Sequence, residues 1–427
     1  MERVPYTHGM AERIGTRLPP SGSLTPVRLF TLLGPAFVAA IAYVDPGNVA
    51  ANLTAGARYG YLLVWVLVAA NAMAVLIQYL SAKLGLVSGK SLPEMLGARM
   101  RPWPRRAFWV QAEAVAIATD LAEVIGGAIA LNLLFGVPLF VGGLITGVVS
   151  MAVLAVQSRR GQRTFEFVVM GMLAIITIGF LTGLFFTDVD AGGVAGGLVP
   201  GFDGSGSVLL AASMLGATVM PHAIYLHSAL ARDRHGVEKD SGRLDRLLRA
   251  TKWDVTFALI IAGSVNIGML LLAASAFRGE EGTDTIDGAH AAIENNLGPG
   301  VAAVFAVGLL ASGLASTSVG CAAGAEIMKG LLHKRIPIQA RRVVTLIPAL
   351  VVLGIGVDPT LALVLSQVVL SLCIPFALIP LVRMTSSSAV MGTRINSRTT
   401  VVLAVVTTAL IVALNGALLW LTVTGQG

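Results

Sequence analysis

The sequence predicts an all-α integral membrane protein with eleven transmembrane helices, of which the first and the sixth are broken. Hydrophobic residues make up 55% of the 427 residues and charged residues only 12%, whereas soluble domains carry about 25% charged residues. The mean hydropathy is +0.80, and apolar runs of about 20 residues, long enough to cross a bilayer, recur along the chain. Alternating strand patterns, which would indicate a β-barrel, are absent from the sequence.

Each predicted span is an apolar run bounded by polar or helix-breaking residues. The eleven spans are 29–57, 61–82, 107–134, 138–157, 165–187, 207–230, 253–277, 299–328, 343–357, 360–382 and 399–423.

The basic residues predict the orientation of these spans. If the N-terminus is cytoplasmic and the C-terminus outside, every Lys and Arg except Arg58 and Arg278 falls in a cytoplasmic segment, as the positive-inside rule requires. This distribution explains the net charge of +7 without nucleic acid and makes anionic lipid headgroups the expected partners of the basic loops. The two cysteines, Cys321 and Cys373, lie in apolar stretches and are interpreted as packing residues. No obligate protein partner is evident.

The run Asp45-Pro46-Gly47-Asn48 interrupts the first span. Pro46 removes a backbone donor and clashes with the preceding turn, while Gly47 permits dihedral angles that other residues avoid. Backbone carbonyls near such a break lose their helical partners, which a membrane tolerates only inside protein or beside a cavity. A charged carboxylate at a helix centre costs about 2.5–3.5 kcal/mol, so Asp45 needs a compensating cation or proton.

A second break is predicted in the sixth span, at Met220-Pro221-His222. Pro221 frees the carbonyl of Ala217, four residues earlier, and Met220 places a thioether near that carbonyl. His222 can titrate near neutral pH. His227, five residues further on, is expected about 140° around the helix, on a different face.

Each break opens a block of five predicted helices. Corresponding breaks in two halves mark the binding site of inverted-repeat transporters. Because five is odd, the second block starts on the opposite side of the membrane, and the repeat is therefore inverted. The predicted units are a cytoplasmic tail at 1–28, repeats at 29–187 and 207–382, and an eleventh helix at 399–423.

The two breaks together suggest a cation site built from the Asp45 carboxylate, the Asn48 amide, the Ala217 carbonyl and the Met220 sulfur. Oxygen ligands suit Mg²⁺, Ca²⁺ and Mn²⁺, whereas a thioether favours softer ions. The mixture favours Mn²⁺, Fe²⁺, Co²⁺ or Cd²⁺ over Mg²⁺ and Ca²⁺. Gln367, in the middle of the tenth span, is a further candidate ligand or gate, with a structural hydrogen bond as the alternative.

Three carboxylates, those of Glu113, Asp120 and Glu123, lie on the otherwise apolar third span. Steps of seven and three residues keep them within about 80° of one helix face, which favours a proton relay. A structural salt-bridge ladder to Arg341 and Arg342 is the alternative, and the two can coexist.

At these two breaks the sequence resembles the Nramp family, the natural-resistance-associated macrophage proteins, and in particular their bacterial proton-dependent manganese transporter branch. The resemblance covers nearly the whole chain and rests on the two break motifs in their respective spans. It extends to Ala118-Thr119-Asp120-Leu121-Ala122-Glu123 and to Tyr225-Leu226-His227-Ser228-Ala229.

The resemblance implies a LeuT-like fold of two inverted five-helix repeats plus one extra helix. It implies that the metal is contacted by Asp45, Asn48, Met220, the Ala217 carbonyl and, in some states, Gln367. It implies proton handling by Asp45, His222, Asp120 and Glu123, with Glu113, Arg341 and Arg342 in the adjoining polar network. Many relatives have Asn where this chain has Ala223, a difference that alters the polarity near His222 without removing a ligand.

The expected function is therefore proton-coupled import of Mn²⁺ and Fe²⁺ across the cell membrane by alternating access, without a resident cofactor. The rival is a sodium- or proton-coupled symporter of organic solutes on the same fold. The sequence contains no H-E-x-x-H motif, no G-x-S-x-G elbow and no ATP-binding loop, which disfavours an enzyme and favours transport driven by a gradient. The excess of Arg over Lys and the abundance of Ala favour a bacterial source.

Overall fold

The computed structural model describes residues 34–424 apart from residues 161, 237, 239, 280, 281, 335 and 336. Within that part of the chain the regular secondary structure is helical and contains no strand. The prediction of an all-α protein is thus confirmed. The predicted tail at 1–28 and the start of the first span, 29–33, lie outside the described residues.

The helices are named here in chain order. The first half comprises α1 (Pro35–Ile41), α2 (Pro46–Tyr59), α3 (Val64–Ser88), α4 (Leu92–Arg99), α5 (Pro102–Phe135), α6 (Leu139–Arg160), α7 (Gln162–Leu181) and α8 (Ala191–Gly196). The second half comprises α9 (Gly204–Thr218), α10 (Pro221–His235), α11 (Ser241–Ala276), α12 (Ile286–Leu297), α13 (Pro299–Leu332), α14 (Ile338–Gly354), α15 (Pro359–Thr385), α16 (Ser388–Met391) and α17 (Arg398–Val423). Short 3₁₀ turns lie at Ala42–Val44, Thr182–Phe186 and Gly392–Arg394.

Among the described residues, eight helical segments are long and apolar enough to cross a membrane. The predicted first, fourth and ninth spans are the ones without such a segment. The first and the ninth contain shorter helices, the ninth with 17 residues, whereas the fourth coincides with the 22-residue helix α6. The first is short because the helix ends at the predicted break. The count of eleven spans accordingly stays a prediction, as do the boundaries of the two repeats.

The broken helices meet at the centre of the molecule. The long helices α5 and α13 pack along each other, α2 packs against α11, and α9 packs against α15. The second half of the first broken helix, α2, also contacts the first half of the second one, α9. Both breaks therefore face the same interior region, enclosed by α5, α13 and α15.

Candidate metal site and adjoining polar network

The first break lies at Asp45. A 3₁₀ turn follows α1, Asp45 is extended with φ −72° and ψ 167°, and α2 then begins at Pro46. Asp45 caps the new helix, because its Oδ1 accepts a hydrogen bond of 2.8 Å from the Asn48 backbone N–H. A proline at the first helical position and an aspartate before it are both favoured at helix starts, so the sequence itself specifies the restart.

Side chains from two other helices satisfy the carbonyls that this break releases. Ser312 Oγ donates to the Val44 carbonyl at 2.5 Å, and Asn266 Nδ2 donates to the Tyr43 carbonyl at 2.7 Å. Ser316 Oγ makes a longer contact of 3.4 Å with the Ile41 carbonyl. Unpaired backbone groups are unfavourable away from water, so these donors stabilise the break inside the membrane. These donors were not identified from the sequence. Ser312 and Ser316 are four residues apart on an apolar helix and therefore share a face, a pattern that could have indicated them.

The second break separates α9 from α10. The first of these helices ends at Thr218, Met220 is extended with φ −71° and ψ 122°, and Pro221 opens the next helix. As expected from Pro221, the carbonyl of Ala217 is available to other groups, and it accepts a hydrogen bond from Asn48 Nδ2 at 3.0 Å. Met220, three residues beyond Ala217, is completely buried.

Four of the five predicted ligands contact one another. Asn48 Nδ2 donates both to Asp45 Oδ1 at 2.8 Å and to the Ala217 carbonyl at 3.0 Å. Gln367 Nε2 donates to the other carboxylate oxygen of Asp45, Oδ2, at 3.1 Å. One carboxylate, two amides and a free carbonyl from three different helices thus converge at a point with no solvent exposure.

Two oxygens at this point have no hydrogen-bond partner: Asn48 Oδ1 and Gln367 Oε1, both buried. An unsatisfied buried acceptor costs about 1–3 kcal/mol, so a native protein keeps such atoms for a reason. Rotation of the two amides would turn these oxygens towards the Asp45 carboxylate region and withdraw the NH₂ groups that now occupy it. The site therefore holds the oxygen donors that a cation requires.

The donor set is suited to a cation that binds and leaves. Among the described residues, no group of three or more His, Cys, Asp or Glu side chains is placed to hold a metal ion. Affinity for a cation rises with the number of charged ligands and with the rigidity of the site. A site with a single carboxylate and otherwise neutral oxygens would consequently bind a cation more weakly than a resident metal centre does.

Gly47 allows Gln367 to reach Asp45. A Cβ atom at position 47 would lie 1.7 Å from Gln367 Nε2 and 2.4 Å from its Cδ, closer than any real contact. Gly216 serves the same approach from the other side, because a Cβ there would lie 2.1 Å from the Gln367 carbonyl oxygen. The two glycines keep α15 against both breaks.

Replacing Gly47 with alanine is therefore expected to expel the Gln367 side chain from the site. The expelled amide could no longer present its Oε1 to a cation, so we expect Mn²⁺ binding to weaken by about tenfold, the lower end of the roughly 10–100-fold that supporting groups of a metal site contribute. Isothermal titration of the purified protein with Mn²⁺ measures this. Gly171→Ala is the matched control, since a Cβ there meets nothing within 4 Å. An unchanged affinity in Gly47→Ala would contradict a role for Gln367 in the site.

The carboxylates of the third predicted span pair with the two predicted arginines. The fully buried Arg342 places Nη1 2.9 Å from Asp120 Oδ1 and 4.0 Å from Glu123 Oε2. Arg341 engages both carboxylate oxygens of Glu113, at 2.8 and 2.9 Å. The predicted salt-bridge pairs of these carboxylates with Arg341 and Arg342 are present in the structure, and the proton relay stays a prediction.

His222 connects the second break to that ladder. Its Nδ1 lies 3.2 Å from Thr119 Oγ1, whose hydroxyl donates to the Val115 carbonyl at 3.0 Å. Because that hydroxyl is already a donor, its lone pair is free to accept from a protonated Nδ1. Thr119 immediately precedes Asp120 on α5, so the imidazole contacts the residue next to one of the buried carboxylates.

His227 belongs to a different group of polar side chains, as expected from its position on the helix. Its Nδ1 lies 2.8 Å from Gln78 Oε1, and Gln78 Nε2 donates to the Tyr43 hydroxyl at 2.5 Å. The Tyr43 carbonyl in turn accepts from Asn266. This second buried network connects α10 and α3 to the first break. Of its members, only His227 was identified from the sequence.

The N-terminus of α1 is held by Asp254 on α11. The backbone N–H groups of Gly34 and Ala36 donate to its two carboxylate oxygens at 3.2 and 3.1 Å. At the opposite end of the broken helix, Thr54 Oγ1 donates to the Asp284 carbonyl at 2.7 Å and Arg58 Nε donates to the Asp284 carboxylate at 2.9 Å. Both ends of the first broken helix are thus fastened to other parts of the fold.

The short helix α4 fastens the second broken helix on the side of the molecule where most Lys and Arg residues are expected, called here the arginine-rich side. The Leu92 N–H donates to Ser228 Oγ at 2.9 Å, and Arg232 pairs with Glu94. Burial alone would raise the pKa of Glu94, but the Ser91 N–H and the charge of Arg232 outweigh it and leave the pKa below its ordinary value. Glu94 therefore stays ionised near neutral pH and keeps its charge for this contact.

Comparison with known proteins places these features in context. The family model described as "Natural resistance-associated macrophage protein-like" matches residues 36–421. A protein named divalent metal cation transporter MntH from Mycobacterium tuberculosis is 59% identical, with 92% of each chain covered. The Bacillus subtilis protein of the same name is 48% identical, with 91% of each chain covered.

Solved structures give the same result for the fold. A crystal structure of the Eremococcus coleocola manganese transporter matches with a TM-score of 0.84 and 31% identity, covering 95% of this chain and 89% of that one. MhsT in complex with L-phenylalanine matches with a TM-score of 0.57 and 15% identity, covering 91% and 97%. At that identity the likeness concerns the fold alone, and the prediction of a LeuT-like fold is confirmed.

Proposed function

The chain belongs to the Nramp family of metal ion transporters, which are not enzymes, and we propose that it imports Mn²⁺ and Fe²⁺ together with protons by alternating access. The relatives named above are divalent metal cation transporters from bacteria, and a solved relative is a manganese transporter. In this proposal, transport is directed into the cytoplasm. The N-terminus and the arginine-rich loops lie on the cytoplasmic side, as the positive-inside rule requires.

The convergence of both helix breaks on one buried carboxylate is the observation that supports this function best. Asp45 receives donors from Asn48 and Gln367, Asn48 also reaches the Ala217 carbonyl, and two amide oxygens remain unpaired. A divalent cation would exchange amide hydrogens for amide oxygens at the carboxylate. It would draw on the Ala217 carbonyl and the Met220 sulfur from the second break.

Met220 accounts for selectivity between metals in this proposal. A thioether contributes little to binding Ca²⁺ or Mg²⁺ and more to binding softer ions, so it favours Mn²⁺ and Fe²⁺ against the abundant hard ions. Oxygen ligands alone could separate these cations only through cavity size, ligand number and flexibility.

Met220→Ala is therefore expected to lose discrimination against Ca²⁺ while part of the Mn²⁺ uptake survives. Competition of ⁵⁴Mn uptake by millimolar Ca²⁺ in proteoliposomes measures this. Met269→Ala, another fully buried methionine outside the two breaks, is the control for lost packing. A Met220→Ala protein that still excludes Ca²⁺ as the parent does would disprove the role of the sulfur.

The proton follows the buried polar groups next to the site. Cation binding favours the deprotonated carboxylate, so metal arrival releases the proton of Asp45. The contact of 3.2 Å between His222 Nδ1 and Thr119 Oγ1 supports a path from the second break towards Asp120, the next residue after Thr119. Two carboxylates, Asp120 and Glu123, face the single guanidinium of Arg342, and the negative charge in excess can be neutralised by a transferred proton. The Glu113–Arg341 pair continues this polar path.

The membrane potential supplies the driving force. A divalent ion and one proton carry three charges inward, and each charge gains about 2.3 kcal/mol per 100 mV. One cycle at that potential therefore gains roughly 7 kcal/mol without ATP.

Uptake by the purified protein in proteoliposomes tests the proposal. We expect ⁵⁴Mn accumulation to rise with an inward proton gradient, to acidify the lumen as reported by a trapped pH dye, and to be competed by Fe²⁺ and Cd²⁺. Metal uptake that leaves the dye unchanged would refute proton coupling. Competition by amino acids, with no effect of Cd²⁺, would instead support an organic solute symporter of the same fold.

A further inference from the structure

A cavity of about 580 Å³ lies on the arginine-rich side of the molecule, away from both helix breaks. It is formed by α4, the beginning of α5 and the end of α15. Its walls are lined by Leu96, Arg99, Met100, Phe108, Ile379, Pro380, Arg383, Met384 and Ser387. The metal site and its polar network contribute no side chain to it.

The charge of this cavity is positive and uncompensated. Arg99 and Arg383 are both exposed, and neither forms an ion pair within the described part of the chain. No Asp or Glu lines the cavity. Two other arginines near helix ends differ, since Arg232 pairs with Glu94 and Arg394 pairs with Asp245. Two guanidinium groups that line one cavity are a fitting partner for a phosphate group.

An apolar surface leads from the cavity along the helices. Phe108 lines the cavity and packs edge-on against Phe376, with ring centroids 6.5 Å apart. Phe376 is 49% exposed and Ile379 is 51% exposed, as expected for side chains that face lipid tails. A ligand with a phosphate head and long apolar tails could therefore bind with its head at the two arginines and its tails on this apolar surface. A soluble anion would use only the first part.

We propose that this cavity binds the headgroup of an anionic phospholipid of the cytoplasmic leaflet. The lipid phosphate lies between Arg99 and Arg383, and its acyl chains run along Phe108, Ile379 and Phe376. Basic pockets between transmembrane helices on the cytoplasmic side are established places for such headgroups.

The bound lipid would act on the transport machinery through α4. This helix lines the cavity with Leu96, Arg99 and Met100. At its other end Ser91 Oγ donates to Glu326 at 2.7 Å, and the Leu92 N–H donates to Ser228 on the second broken helix. A lipid that steadies α4 would therefore also steady the contact between α4 and α10.

Native mass spectrometry of the purified full-length protein tests the proposal. The protein is mixed with equal amounts of phosphatidylglycerol and phosphatidylcholine of the same acyl chains. We expect the parent to retain phosphatidylglycerol preferentially. In Arg99→Gln/Arg383→Gln its retention should fall roughly 25-fold, about fivefold for each charge removed. Arg101→Gln/Arg106→Gln is the matched control, because both arginines are exposed and lie outside the cavity, and it should bind like the parent.

Three results would overturn the proposal. Equal retention of both lipids by the parent would show an apolar groove only, a result that does not depend on any variant folding. Displacement of phosphatidylglycerol by inorganic phosphate or by soluble glycerophosphate would show a site for free anions. An equal loss in the control variant would show general surface charge. Size-exclusion profiles verify that each variant is folded before the comparison.

Discussion

Replacing Asp45 with alanine is expected to abolish both Mn²⁺ binding and metal-linked proton entry. Asp45 is the single charged group at the convergence of the two breaks, and every other predicted ligand there is neutral. Losing a charged hydrogen-bonding group costs up to about 3 kcal/mol, so binding and uptake should fall by about 100-fold or more. The helix cap is lost as well, because the side chain accepts from the Asn48 N–H at 2.8 Å.

Asp45→Asn separates these two effects. Asparagine is as good a helix cap as aspartate, and its carbonyl oxygen can keep the hydrogen bond from the Asn48 backbone. We expect the parent's thermal stability and almost no ⁵⁴Mn uptake. The two measurements are melting in detergent and uptake in proteoliposomes with a trapped pH dye. Normal uptake by either variant would falsify the assignment of Asp45.

Arg342→Met is expected to destabilise the protein by about 3–5 kcal/mol, the cost of leaving buried charges without their partner. The arginine is completely buried, with Nη1 2.9 Å from Asp120 Oδ1, and its Nε donates to Ser150 Oγ at 3.0 Å. Removing it leaves the carboxylates of Asp120 and Glu123 facing each other in a closed interior. Thermal unfolding in detergent, followed by size exclusion, measures the loss.

A rescue variant distinguishes stability from transport. In Arg342→Met/Asp120→Asn/Glu123→Gln the buried charges are removed together, which is often nearly neutral for stability. We expect melting close to that of the parent but uptake that no longer acidifies the lumen. Arg341→Met is the control, because its partner Glu113 is 18% exposed and the lost pair costs less. An Arg342→Met protein that melts like the parent would contradict the ion-pair description.

The two breaks could be predicted from local sequence because their causes are local. Proline and glycine act on the backbone within one turn, so Asp45-Pro46-Gly47-Asn48 and Met220-Pro221-His222 indicated where helices end and restart. The pairing of Glu113 and Asp120 with Arg341 and Arg342 was also among the stated alternatives. This pairing could be considered from the sequence because few ionised residues lie within or next to the predicted spans, so that few partners are possible for each.

The partners of neutral polar residues could not be predicted in this way. Asn266, Ser312 and Asp254 serve backbone groups of the first broken helix from positions more than 200 residues away. A polar residue on an apolar helix shows that it needs a partner, but its sequence contains no information on which helix will pass beside it. The same holds for Gln78, which the structure places against His227.

The cap of α2 has a consequence for the release of the ion. Asp45 Oδ1 takes part in hydrogen bonds with both the backbone and the amide of Asn48, and a cation must compete with these donors for the same lone pairs. If the proposed ion binds this oxygen, the first turn of α2 would be weakened while the ion is held. Once the ion departs, that turn would regain its hydrogen bond and oppose rebinding. The polypeptide would then act as an internal competitor of the ion, which would let the carrier bind tightly enough to select and loosely enough to release.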